Sequence, residues 1–172
     1  MSYEHEPTSP FRGTTICAVR RDGVTAIAGD GQVTMGEHTI MKGTARKIRR
    51  IYNDRVVIGF AGSVADAFAL AEKLENRLTQ YSGNLPRAAI ELAQDWRMDR
   101  AARKLDAMLL CADRDNLLLV SGTGEVIEPD GGVIAIGSGG NFALAAARAR
   151  SENTDAYAQD RAGKVMKIPS DI

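Results

Sequence analysis

Gly13-Thr14-Thr15 marks the point where a polar leader, Met1 to Arg12, gives way to an apolar-rich run. A cut before Thr14 would leave a hydroxyl and a free α-amine on one residue. Together these are a nucleophile and its base. An α-amine has a pKa of roughly 7.7–8.0, so it takes a proton near neutral pH. Pairing a threonine hydroxyl with the N-terminal amine is one way a weak nucleophile is activated. Taken alone, the same residues also read as a leader before an ordinary threonine-rich strand.

Four other segments carry groups that such chemistry would use. Asp30 sits in the tight turn Gly29-Asp30-Gly31, where a carboxylate can fix a lysine by a charge-assisted hydrogen bond. Lys47 lies in the basic run Thr44-Ala45-Arg46-Lys47-Ile48-Arg49-Arg50. Such a run is ordinarily a solvated face. One lysine turned inward beside an α-amine would hold that amine unprotonated, because like charges disfavour the charged form. Gly137-Ser138-Gly139-Gly140-Asn141 opens a helix. It lacks both the Lys-Ser/Thr of a P-loop and the spacing of a dinucleotide fingerprint. Its glycines suit a close backbone approach, and Ser138 offers a hydroxyl there. Gly59-Phe60-Ala61-Gly62 ends an apolar strand, and a backbone N–H at that end can face a developing oxyanion.

The elements that must position these groups follow from pattern. Thr15 to Val19 and Val24 to Ala28 read as a hairpin across Arg21-Asp22-Gly23. Ile48 to Tyr52 and Val56 to Gly62 read as strands. Val64 to Tyr81 has helical spacing of apolar residues. A second helix starts with Asn84 as cap and Pro86 in its first turn. Ala107 to Ala112 and Leu117 to Val120 form another hairpin, and Val133 to Ile136 a further strand. Asn141 to about Ser151 reads as a helix, and a last helix runs from Thr154 or Asp155 to about Lys167. Strands and helix pairs in this order predict helices layered on packed antiparallel sheets, not a parallel doubly wound fold.

The 172 residues suit one domain. Lys+Arg and Asp+Glu balance at 22 each, which gives no footing for nucleic acid or an anionic membrane as partner. Cys17 and Cys111 lie in apolar runs, and His5 and His38 are the only histidines, so no zinc spacing exists. No run of about 18 apolar residues predicts a membrane span. The leader has no apolar stretch of the secretory kind. A cytoplasmic protein is the expectation.

The segments Thr14-Thr15-Ile16, Ala28-Gly29-Asp30-Gly31-Gln32-Val33-Thr34, Met41-Lys42-Gly43, Arg46-Lys47-Ile48-Arg49-Arg50, Gly59-Phe60-Ala61-Gly62-Ser63-Val64-Ala65-Asp66-Ala67, Asp95-Trp96-Arg97 and Ala135-Ile136-Gly137-Ser138-Gly139-Gly140 occur in one order. Together they resemble the HslV (ClpQ) family of bacterial, proteasome-related peptidases. The register is nearly continuous from Gly13 to Ile172. The resemblance implies an α+β fold, a four-layer αββα sandwich of the N-terminal-nucleophile hydrolase, proteasome β-subunit-like type. Residues 1–13 would be a leader and 14–172 a single peptidase domain. It also implies a threonine-type endopeptidase in two stacked hexameric rings, fed with unfolded protein by the AAA+ unfoldase HslU. ATP is then used by the partner only, and the chemistry needs no cofactor.

The resemblance also implies roles. Thr14 would be the nucleophile and its amine the base, freed by autocatalytic cleavage after Gly13. Lys47 would keep the amine neutral, Asp30 would orient Lys47, and Ser138 would assist proton transfer. The Gly62 N–H would donate to the oxyanion. Main chain at Thr34, Gly62 and Ser63 would pair with extended substrate, a mode largely blind to side chains. The basic run from Lys42 to Arg50 would meet carboxylates of the unfoldase. The backbone carbonyl of Ser170 would bind a monovalent cation, sodium or potassium.

The chain departs from the family pattern at both ends. Its leader is longer than the lone Met of some relatives. Ile168-Pro169-Ser170-Asp171-Ile172 stands where the family has Ile-Ala-Gly-Asp/Glu-Ile before a terminal strand. The expectation is a domain without that strand and with an unpaired sheet edge. Two other readings remain at this point: a non-catalytic ring subunit, and a stand-alone N-terminal-nucleophile amidase acting on small molecules.

Overall fold

In the computed structural model, the described residues are 15–30, 47–62, 64–99 and 107–153. The backbone of short strands at 11–12, 33–35, 39–42 and 165–167 is also described. In chain order the first strands are β1 (Phe11–Arg12), β2 (Thr15–Arg21), β3 (Val24–Gly29), β4 (Val33–Met35), β5 (Thr39–Lys42), β6 (Ile48–Ile51) and β7 (Val56–Ala61). Helices α1 (Val64–Gln80) and α2 (Leu85–Met98) follow. Then come β8 (Met108–Ala112), β9 (Leu117–Ser121), β10 (Val126–Ile127), β11 (Val133–Gly137), α3 (Gly140–Asn153) and β12 (Val165–Lys167).

Local chemistry accounts for the turns. Asp22 and Gly23 have φ of 52° and 74°, the left-handed pair that closes a two-residue hairpin, and they set Arg21 opposite Val24. Asp113 closes the β8–β9 turn by accepting the N–H groups of Asp115 and Asn116 at 2.8 and 2.6 Å. Asn84 caps α2 by accepting the Arg87 N–H at 3.1 Å. Arg77 of α1 and Asp95 of α2 tie the two helices with bonds of 3.1 and 2.5 Å.

Two antiparallel sheets form the centre. One runs β10-β9-β8-β7-β6 and the other β11-β2-β3-β12. Three apolar clusters mark the interfaces between four layers. Leu74, Leu78, Leu92 and Trp96 of α1 and α2 bury against Ile58, Leu109 and Val120 on one face of the five-stranded sheet. Ile16, Ala18 and Ile27 meet Val57, Leu110 and Leu117 between the sheets. Cys17, Val19, Ala26 and Val133 bury against Ala147 of α3 on the outer face. The order is helix pair, sheet, sheet, helix, the expected αββα sandwich. Ile16 and Ala18 face inward while Cys17 and Val19 face outward, the period of two of a strand. Both faces of each sheet are covered, so β7 is buried at every position and its sequence shows no alternation.

One element corrects the sequence reading. The predicted last helix does not reach Lys167, because Val165–Lys167 is a strand antiparallel to β3. The outer edge of β3 carries main-chain groups that need partners, and Val-Met-Lys supplies them. The rest of that helix, residues 154–164, lies outside the described residues. The strands β1, β4 and β5, which join in a separate three-stranded sheet of order β1-β4-β5, were not anticipated either.

Between the sheets lies Ile16, which has no exposed surface. A Cβ added to Gly59 of β7 would lie 2.7 Å from Ile16 Cγ2, and one added to Gly29 would lie 2.6 Å from its Cδ1. Glycine at both positions lets the first residues of β2 settle against the end of the opposite sheet.

Candidate active site

That close approach brings together one end of each sheet. From the four-stranded sheet come Thr15, which begins β2, Asp30, which follows β3, and Gly137, which ends β11 opposite Thr15. From the five-stranded sheet comes Lys47, just before β6, whose carbonyl accepts the Phe60 N–H at 3.3 Å.

Asp30 joins the two sides. Its Oδ1 accepts from Lys47 Nζ at 2.7 Å and its Oδ2 from the Thr15 N–H at 3.0 Å. Its own N–H donates to the Thr15 carbonyl at 3.0 Å. The Lys47 side chain is only 9 % exposed, against 36 % for Asp30. An ammonium so covered needs a partner of opposite charge, and Asp30 is that partner. The carboxylate therefore fixes a buried cation and the main chain of the residue after Thr14 at once.

The other predicted site residues fall as follows. Ser138 is exposed in the turn between β11 and α3, next to Gly137. Gly62 follows β7, two residues beyond the Phe60 that pairs with Lys47. Its φ of 143° is one that side-chain-bearing residues avoid. Thr34 lies in β4, where its main chain pairs with Arg12 of β1. Thr14, Ser63 and Ser170 lie outside the described residues.

Sequence reasoning missed Thr15 as the second partner of Asp30. The contact is made by main chain, so residue type gives no signal for it. It also missed β1, the strand Phe11–Arg12 that pairs with β4 beside Thr34.

The thiols stand apart from this chemistry. Burial pushes the Cys17 thiol up, and pushes the Cys111 thiol up to about 12, with Asp113 adding to the latter. Both are buried and remain protonated, poor nucleophiles at neutral pH. Among the described residues no cluster of three metal-ligating side chains exists, and no helix is long and apolar enough to cross a membrane.

Two covered sheets between helix layers, with a covered lysine paired to a half-exposed aspartate beside the start of a strand, fit a proteasome-type fold. The family model described as proteasome subunit matches residues 11–168, and the chain belongs to that family. Within it, the likeness is to HslV. The chain is 65% identical over 160 residues to the "ATP-dependent protease subunit HslV" of Ligilactobacillus salivarius, covering 92% of this chain and 91% of the relative. It is 61% identical over 166 residues to that of Enterococcus faecalis, covering 95% and 91%. The solved structure of eukaryotic HslV from Trypanosoma brucei superposes with a TM-score of 0.81 at 49% identity, covering 86% of this chain and 85% of that one.

Proposed function

We propose that this chain is a threonine endopeptidase, the proteolytic core subunit of an ATP-dependent protease of the HslV kind. The observation that carries the reading is the double use of Asp30, which holds Lys47 Nζ at 2.7 Å and the Thr15 N–H at 3.0 Å. Residue 14 is covalently attached to that amide. A hydroxyl and α-amine freed there would belong to the residue bonded to the amide that Asp30 holds.

The proposed steps use these groups. The Thr14 amine takes the hydroxyl proton as oxygen attacks the scissile carbonyl. The positive charge of Lys47 disfavours a second positive charge on the amine, which keeps it a base. Asp30 keeps Lys47 in place. The Gly62 N–H donates to the oxyanion, and Ser138 assists proton transfer. The amine proton passes to the leaving nitrogen, and water then releases the ester on Thr14. No step needs a cofactor.

Substrate would bind as an added strand beside Thr34, Gly62 and Ser63. Pairing of the leader strand β1 with Thr34 and Met35 supports this, since it shows β4 accepting an antiparallel neighbour. The leader, residues 1–13, would be removed by the same chemistry at Gly13-Thr14. An AAA+ unfoldase, HslU in the relatives' system, would use the ATP and deliver unfolded protein to two stacked rings of six in the cytoplasm.

Intact mass of the purified protein tests this reading. The expected mass lacks residues 1–13, while Thr14→Ala keeps them and loses turnover of a fluorogenic peptide in the presence of unfoldase and ATP. A parent chain that keeps its leader, or a Thr14→Ala variant that still turns over, overturns it.

A further inference from the structure

Gly139 has no exposed role in the chemistry above, yet its lack of a side chain is demanded by one neighbour. Its backbone is not among those with positive φ, so the conformation at 139 is open to other residues. Space is what excludes them. A Cβ at 139 would overlap Thr15 Oγ1, with Thr15 Cβ and Cγ2 only 3.4 and 3.5 Å away. Thr15 itself has little room to retreat. Its N–H and carbonyl are both bonded to Asp30 at 3.0 Å, it sits opposite Gly137 in the β2–β11 register, and Ile16 after it is wedged between Gly29 and Gly59.

We propose that Gly139 is a positioning residue: by leaving space for Thr15 it holds the residue after the nucleophile in register with Asp30, and so aims Thr14. The inference rests on the reading of Thr14 as nucleophile. The turn that carries Ser138 thereby sets the seat of the nucleophile through Gly139. A displacement of about 1 Å in a reacting group can cost about 10²-fold in rate, so a single added methyl is enough to register.

The test is a pair of variants in the full chain, assayed with a fluorogenic peptide, unfoldase and ATP. Gly139→Ala is expected to lower kcat by roughly 10²-fold, with KM close to that of the parent and the thermal unfolding midpoint lowered by overpacking. Adding Thr15→Ala removes the oxygen that the new methyl meets, and the double variant is expected to regain most of the lost kcat. That recovery is a readout that general damage to the fold would not produce. Parental kcat in Gly139→Ala would mean that Thr15 simply turns aside, and overturns the proposal. A slow Gly139→Ala that Thr15→Ala does not rescue overturns it as well. Turnover by Thr14→Ala would instead sink the underlying reading, so the two failures are distinguishable.

Discussion

The two ends of the layer between the sheets each hold a basic side chain, and they treat it oppositely. At one end Lys47 is covered and paired with Asp30 at 2.7 Å. At the other, Arg20 lies opposite Thr25 in the β2–β3 hairpin. Alternation from Ile16 and Ala18 turns Arg20 toward the inter-sheet layer, and alternation from Ile27 does the same for Thr25. Yet Arg20 Nη1 and Thr25 Oγ1 are buried with no hydrogen-bond partner among the described residues. Burial of polar groups costs free energy unless they are bonded. The paired, covered cation beside the start of a strand is the one to which the proposed function gives a chemical use. The Arg20 end has the cost without the partner, so the contrast separates a covered charge that has its counter-charge from one carried inward by strand periodicity.

The largest expected effect comes from breaking the paired end. Lys47→Ala removes the cation proposed to keep the Thr14 amine neutral, and turnover is expected to fall by about 10²–10⁴-fold. Asp30→Ala loses both the ion pair and the acceptor of the Thr15 N–H, and is expected to match it. Asp30→Asn keeps an oxygen for one of the two donors and is expected to fall less than Asp30→Ala. Steady-state kinetics on a fluorogenic peptide, with thermal unfolding as control, decides this. Lys47→Ala within a few-fold of the parent would leave the paired end without catalytic meaning.

A smaller effect is expected from the spacing that brings the paired end together. Gly59→Ala puts a methyl against Ile16 Cγ2. Overpacking of this kind costs about 1–3 kcal/mol. Because the added methyl acts on the side that carries Lys47, turnover is expected to drop along with stability. Urea unfolding and peptide turnover on one preparation check both. A stability loss without a change in turnover would mean that the sheets yield elsewhere and the site keeps its geometry.

Much of this was legible in the sequence, for physical reasons that differ by residue. Asp22-Gly23 announces its hairpin because the turn needs left-handed backbone. The stripes of α1 and α2 announce themselves because each helix buries one face against a sheet. The pairing of Asp30 with Lys47 came from the resemblance to HslV, since the turn and the basic run each offer a charge but nothing in their spacing joins them. The illegible parts are those made by main chain or by edges. The Thr15–Asp30 bonds involve a backbone amide and carbonyl, which every residue but proline carries. The strand β12 was read as helix because three residues hold too little pattern, and the edge of β3 decided their conformation. The glycines of 137–140 suit a close backbone approach in the sequence, but only the position of Thr15 shows which neighbour Gly139 makes room for.

The smallest expected effect comes from the unpaired end, and it has the opposite sign. Thr25→Val replaces a buried hydroxyl by a methyl of nearly the same size, on a side chain that is 2 % exposed. A buried polar group left unsatisfied costs about 1–3 kcal/mol, and exchange for an apolar isostere recovers part of that. Thr25→Val is therefore expected to hold or raise the urea midpoint, with peptide turnover unchanged. Valine is also at least as good a strand former as threonine, so propensity does not oppose the change. Arg20→Met is expected to act in the same direction, because methionine retains an apolar stem and removes the unpaired donor. A clear loss of stability in both variants would show that the two atoms have partners after all. The two ends of the inter-sheet layer would then be alike in satisfying their buried charge, and catalytic use alone would distinguish Lys47.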